Sequence, residues 1–440
     1  MSENRADPAR LETTPFWWEG RRPYPVSPEI PDSDYDVIVV GGGYTGMAAA
    51  RQLACAGVRV AVFEAEGLGE GASTRNGGMV SATLKWSPAE LSRRTSPATA
   101  RTIFDEAAGS VRHLEETIRD DGIECAYSRC GMYIAAHTPR HLAAMQAEQQ
   151  ALADFGIETR VLSPSEGRGE LASDFYHGGK LIPFAGGLDP CALHYGLAHA
   201  AATAGAKLFD HTRVLALERV GGRWKVRTEH GDLRADNVIM ATNGYSRAAP
   251  GPFARRLVPV RSYVIATEVL PRELVSRLIP RERMIQDSKN VLYYFRPSPD
   301  GRRIVFGGRA SLGEIGLEKS ASRLMKGLRA VFPDDMERVR PAYSWNGTVA
   351  FTFDRLPHMG VEDGLHYALG YCGQGVAMST YLGDRVARAV LAPEETISVF
   401  QTLPFRGRLG YTGNPWMLPA VGFGLKLKDF ADRHILRGIG

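Results

Sequence analysis

Residues 35–64 constrain the fold more than any other stretch. The run YDVIVV over 35–40 is followed by GGGYTG, then by the Ala-rich MAAARQLACAG, then by VRVAVFE, which ends in Glu64. A continuous apolar run of this length suits a strand buried on both faces. Gly41, Gly43 and Gly46 stand at the spacing G-x-G-x-x-G. In a strand–turn–helix they provide a tight turn, close backbone approach to a pyrophosphate, and close helix–strand packing. The helix N-terminus then turns free N–H groups and a partial positive charge toward the phosphates. Glu64 stands at the end of the second strand, where an acid accepts hydrogen bonds from ribose hydroxyls. The stretch reads as a βαβ unit with a dinucleotide site. An acid there disfavours a 2′-phosphorylated cofactor, which leaves NAD and FAD.

A chain of 440 residues predicts two or three domains. The 53 basic and 49 acidic residues leave a formal charge of +4, too small to argue for nucleic acid. Basic pairs such as Arg93-Arg94 and Arg302-Arg303 read as solvated surface. The five cysteines are scattered without a C-x-x-C, and the histidines show no metal spacing, so neither a disulfide framework nor a metal site is expected. No signal peptide or transmembrane segment is evident; Pro415–Leu425, the longest apolar candidate, is short and broken by Pro419, Gly422 and Gly424. A cytoplasmic protein is the expectation.

Along the chain, residues 1–33 read as an arm, in which Trp17 and Trp18 either pin it to its own domain or form a lid or subunit contact. The loop GLGEGASTRNGG offers backbone amides together with Ser73, Thr74, Arg75 and Asn76, enough to wrap a polar ligand or simply to form a surface loop. Helix is expected over 88–121, 139–154, 190–204 and 317–331, with Asp189 capping the third. Strands are expected at 130–136, 158–162, 207–210, 214–219, 224–228 and 233–241, and 178–190 reads as loop. Strand-like runs dominate 257–310. The segment LHYALGYCGQGVAMSTYLGD then repeats the opening design of strand, Gly-rich turn and helix.

Several segments together resemble the D-amino-acid-oxidase-like family of FAD-dependent oxidoreductases: GGGYTG with Glu64, GASTRNGG, GGKLIPFAGGLDP, MATNGY, WNGTVAFTFDRLPHMG and GYCGQGV, in this order over 35–380. Within the family the chain is most similar to the γ-glutamylputrescine-oxidase-like branch, including its early aromatic pair and LYYFRPSPDGRRIVFGGR. The resemblance implies an α/β fold: a Rossmann-like FAD domain and a second α+β substrate domain on a mostly antiparallel sheet. The implied map is an arm at 1–33, an FAD domain from 34–121, 177–250 and 342–392, a substrate domain from 122–176 and 251–341, and a peripheral segment at 393–440. By likeness, Gly41, Gly43, Gly46 and Glu64 hold the ADP half of FAD. Ser73, Arg75, Asn76, Gly77 and Gly78 approach its ribityl chain and ring. Val214 meets adenine, and Thr242, Asn243 and Gly244 lie near the pyrophosphate. Asp354, Gly373, Gln374, Gly375 and Val376 close the ring side. Where some relatives attach flavin through Cys or His, this chain has Gly347 and Asn76, so FAD is expected to be non-covalent. Where some place a lysine over the flavin, Val305 or a neighbour stands here, which puts oxygen reactivity in question.

The chemistry implied is oxidation of a small primary or secondary amine, or an amino acid. Hydride passes to flavin N5, the imine hydrolyses, and O2 reoxidises the flavin to give H2O2. A flavin-dependent dehydrogenase with another acceptor, a non-catalytic flavin-binding partner subunit and an NAD-dependent enzyme stay open as alternatives, as does a homodimer. Substrate-side candidates are Tyr263, Tyr294, Arg296, Tyr371 and Gln374. Tyrosines can wall an alkylamine and attract its cation. Arg296 shares strand parity with Tyr294 and can grip a carboxylate by a forked pair of bonds. A surface arginine and, for Tyr263, a packed core ring are the competing readings.

Overall fold

The computed structural model describes residues 10–27, 32–309 and 313–434. Two eight-stranded sheets dominate it. The first is built on Asp34–Val40, which pairs in parallel with Val60–Phe63 on one side and Gly231–Met240 on the other. Lys207–Phe209 extends it beyond Val60–Phe63, and Leu365–Leu369 extends it beyond Gly231–Met240, both in parallel. His358–Glu362 closes that edge antiparallel, and the hairpin Val214–Val220/Arg223–Thr228 pairs with Gly231–Met240. Helices Tyr44–Cys55 and Gly375–Leu391 pack so closely that a Cβ on Gly383 would stand 2.5 Å from the Thr45 carbonyl oxygen.

The register fixes where a ligand can sit. Val40 pairs with Met240, and Met240 with Tyr367, so three parallel strands end level with one another. The turns after them therefore converge, and in open α/β sheets this carboxyl edge is where ligands bind. Asn243 joins two of the turns, its Oδ1 accepting the Gly370 N–H at 3.0 Å.

The second sheet runs Pro341–Thr352, Leu257–Thr267, Ile304–Gly308, Tyr293–Pro297, Met284–Asp287, Met132–Ala135, Gly179–Ile182, Arg160–Leu162. All its pairs are antiparallel except Met284–Asp287 with Met132–Ala135. Helix Leu317–Val331 covers one face through Leu324 and Leu328, which pack with Tyr263, Ile265 and Phe306. The expected α/β architecture with a mostly antiparallel second sheet is what the chain adopts.

Several expectations need correction. Gly179–Ile182, expected to be loop, is a strand, and both it and Pro341–Thr352 belong to the second sheet. The helix expected over 88–121 is two, Pro88–Arg94 and Pro97–Asp120. Pro97 holds Ser96 extended, and the Ser96 hydroxyl caps the second helix by accepting the Thr99 N–H at 3.1 Å. The arm is fastened across the molecule: Glu12 bridges to Tyr343, and Trp17 is buried with Val264, Val305 and Trp345. The peripheral C-terminal segment carries a helix, Leu418–His434.

Candidate active site

A cavity of about 410 Å³ runs along the converging strand ends, a size typical of cofactor clefts. Gly41 and Gly43 line one part of it, Gly373 and Gly375 another, so the two glycine-rich turns meet on one space. The tightness is physical. A Cβ on Gly46 would stand 2.0 Å from the Gly41 carbonyl oxygen, and one on Gly41 (φ +107°) would stand 2.9 Å from that of Ala241. Glu64 lies at the far end beside Val214; its Oε2 accepts the Gly42 N–H at 2.8 Å, and burial raises its pKa. His194, on helix Pro190–Thr203, packs its ring under this turn and bonds the Gly42 carbonyl through Nε2 at 2.6 Å.

The segment 72–78, which opens with the short helix Ala72–Arg75, is held by three indoles. Trp17 donates to the Asn76 carbonyl at 2.9 Å, Trp18 to Thr74 Oγ1 at 3.0 Å, and Trp345 to the Arg75 carbonyl at 2.8 Å. Asn76 stiffens it from within: its Nδ2 donates to the Ser73 carbonyl and its Oδ1 accepts the Gly78 N–H, both at 2.8 Å. Ser73 Oγ accepts the Tyr44 N–H at the head of the opening helix.

A second cavity, of about 150 Å³, adjoins the first across Ala72, Asn76, Val349, Gly373 and Val376. Strand alternation decides who reaches it. Val260, Ser262 and Val264 line it, and Tyr263 points the other way, fully buried, its hydroxyl accepting the Ile315 N–H at 3.0 Å. Tyr294 lines it, its ring wedged between Gly77 and Gly307 and its hydroxyl 2.9 Å from Ser262 Oγ. Gln374 lines it too, its Oε1 accepting from Ser81 Oγ at 2.9 Å.

Two cations in this wall escaped the sequence reading. Lys85 and Arg309 both line the cavity, and among the described residues neither forms an ion pair. Burial, and then the Arg309 charge, pull the Lys85 ammonium down to about 8. Burial, and then the charge of Arg355, lower Arg309. Arg309 ends the quoted run RRIVFGGR, so its signal was a charge closing an otherwise apolar strand. Lys85, in the loop before helix Pro88–Arg94, carried no local signal.

The remaining candidates sort as follows. Ser73, Thr242, Asn243 and Val214 line the first cavity, Gly77 the second, Asn76, Gly373 and Val376 both. Gly46, Gly78 and Gly244 line neither; a Cβ on Gly78 would stand 2.1 Å from the Leu188 carbonyl oxygen and one on Gly244 2.8 Å from that of Thr348, so they serve packing. Arg75 reaches the second cavity, but its guanidinium pairs with Glu70 and stacks on Trp18. Asp354 lines neither cavity, because its carboxylate holds His358 Nε2 at 2.9 Å. Arg296 is likewise displaced from a substrate role: buried, its Nη1 donates to the carbonyls of Gly78 and Leu188 at 2.9 and 2.8 Å. Tyr371 sits on the first cavity, its hydroxyl 2.7 Å from Thr45 Oγ1. Val305 is packed against Trp17 and Trp345.

Comparison with known proteins agrees with this geometry. The DAO family model, described as FAD dependent oxidoreductase, matches residues 36–389. The chain is 29% identical over 405 residues to a probable oxidoreductase, OrdL, of Haemophilus influenzae, covering 90% of this chain and 89% of that one. It is 29% identical over 401 residues to the γ-glutamylputrescine oxidoreductase of Escherichia coli, covering 90% and 93%. The crystal structure of glycine oxidase from Geobacillus kaustophilus superposes with a TM-score of 0.70 at 24% identity, covering 86% of this chain and 99% of that one.

Proposed function

From its membership of the DAO family of FAD-dependent oxidoreductases, to which this chain belongs, we propose that it oxidises a small amine that carries a carboxylate. FAD is the cofactor of the family, and the first cavity fits it. Its backbone turns are bare of side chains where the cradle is tightest, and Glu64 stands at one end. Among the described residues no cysteine or histidine lines that cavity, and Cys372, which lines the adjoining one, gives its thiol to the Gly370 carbonyl at 3.2 Å; both support non-covalent binding, and flavin released into the supernatant on acid precipitation checks it. The relatives named for γ-glutamylputrescine and for glycine act on amine-bearing compounds, which supports the same class.

The observation that carries the reading is the unpaired couple Lys85 and Arg309 in the second cavity. Partly buried cations without counter-charges are unfavourable unless a ligand supplies the anion. Arg309 offers the planar fork that suits a carboxylate, and Lys85 a mobile point charge beside it. Tyr294, Ser262, Gln286 and Gln374 belong to the polar part of the wall, and Met132, Val260, Leu292 and Phe351 to the apolar part that excludes water. Bound FAD supplies the two-electron acceptor for the C–H bond next to the amine nitrogen. This chain's own residues orient that carbon: the carboxylate is gripped at Lys85 and Arg309, and the amine end is turned toward the shared wall of the two cavities. The amides at the start of helix Gly375–Leu391 favour negative charge developing at that wall.

Molecular oxygen is the acceptor in this reading. The first electron given to oxygen makes an anion, which a cation such as Lys85 favours. The test is a panel of amino acids and N-alkyl amino acids beside their decarboxylated amines, followed by anaerobic flavin bleaching. Bleaching by the acids alone is the expected result; bleaching by the plain amines alone overturns the carboxylate assignment. Peroxide formed in step with substrate loss checks the acceptor.

A further inference from the structure

We infer that the helix Leu418–His434 is a docking element for an anionic lipid surface, independently of which substrate the cavities take. Phe423 and Leu427 fall on one face, one turn apart, and are 66% and 53% exposed. Trp416, just before the helix, is 74% exposed. With about 100° per residue, the exposed Lys426 and Lys428 stand on opposite flanks of this stripe. The acids of the same helix are turned inward. Asp429 accepts the backbone N–H groups of Asn290 and Val291 at 2.8 and 2.9 Å, and Asp432 lies 3.7 Å from Arg140.

The outward face is therefore apolar in the middle and only positive at its edges. That distribution suits a helix lying in the headgroup layer, with its rings in the acyl boundary and its lysines on anionic lipid. A second copy is a poorer occupant: pairing the stripe with itself brings lysines against lysines, with no carboxylate of the helix free to answer them. No helix among the described residues is long and apolar enough to cross a membrane, so the contact is peripheral. The placement also bears on the cavities. The helix is anchored at Asn290 and Val291, and the next residue, Leu292, lines the second cavity.

The test uses the full chain with bound flavin and two kinds of vesicle, phosphatidylcholine alone and phosphatidylcholine mixed with phosphatidylglycerol. Co-sedimentation with the mixed vesicles, weakened by salt, is expected. The double variant Phe423→Ser/Leu427→Ser lowers partitioning by more than about tenfold, since it removes both apolar side chains of the stripe. Lys426→Gln/Lys428→Gln lowers it about tenfold on the mixed vesicles only. Flavin content and turnover in detergent-free buffer stay unchanged in both, because neither pair touches a cavity. Failure of the unaltered protein to sediment with either vesicle overturns the assignment. A dimer that Phe423→Ser/Leu427→Ser splits, with no vesicle binding, also overturns it and gives the stripe to a second copy.

Discussion

The two adjoining cavities are made in different ways. The larger is shaped by backbone: three parallel strands end level, and in the first glycine turn a Cβ added at Gly41 or Gly46 would strike a carbonyl. The smaller is made of side chains from the second sheet and from loops far apart in the chain, such as Lys85, Tyr294, Arg309 and Gln374. A cofactor shared by a family can be held by a conserved geometry of main chain. A substrate that differs among members has to be held by what the side chains bring. The turn at Gly41 and Gly46 thus tolerates almost no substitution, and the second cavity tolerates substitution at the cost of specificity.

The comparison breaks first at Gly46. Gly46→Val puts a branched side chain against a carbonyl 2.0 Å from the new Cβ, and more than about 4 kcal/mol of stability should go with it. Loss of soluble yellow protein is the readout, and a normal yield with full flavin would refute the tight-turn account. Next is Arg309→Met. Removing a charged donor at the carboxylate should raise KM roughly 30–100-fold, with flavin content intact. An unchanged KM for every carboxylate-bearing substrate would move the anion site elsewhere.

A smaller effect separates structural from substrate-binding arginines. Arg296→Met leaves the buried Leu188 carbonyl without its donor, and the Gly78 carbonyl with the Leu188 N–H alone, and should lower stability by about 1–3 kcal/mol, while KM stays within about twofold. Lys85→Met should do the reverse. The folded Lys85 is lowered to about 8 from an ordinary 10.5, so the unfolded chain binds the proton more tightly. The drag on stability is full below about 8 and fades as pH climbs toward 10.5. At neutral pH Lys85→Met should therefore raise stability, by about 1–2 kcal/mol once residual solvation is allowed for. It should also remove the rise in KM that deprotonation of Lys85 causes above pH about 8 in the unaltered protein. Smallest is Tyr263→Phe, which gives up one hydrogen bond worth about 1 kcal/mol and leaves turnover as it was.

The first sheet was legible because its signals are local. A strand, a glycine turn, a helix and a terminal acid lie within thirty residues of one another at 35–64, and the same grammar recurs at 365–391. The second cavity was only half legible. Alternation put Tyr294 and Arg296 on one face of their strand, and Tyr294 does reach the cavity. Alternation alone does not say which parity faces in, so Tyr263 was named where Ser262 and Val264 belong. Arg296 has the parity of Tyr294, yet two backbone carbonyls claim its guanidinium first. Gly179–Ile182 was hidden because a short strand between glycines looks like a loop until its partner, Met132–Ala135, is known. Lys85 was invisible because an unpaired charge is a statement about what is missing around it, and no sequence window contains that.

The three indoles that clamp the loop at Asn76, Thr74 and Arg75 come from opposite ends of the polypeptide. Anyone shortening this protein by trimming its first twenty residues as an idle leader would unhook two of those three fasteners. The globule would still form its sheets, and the yellow colour would leak away during purification.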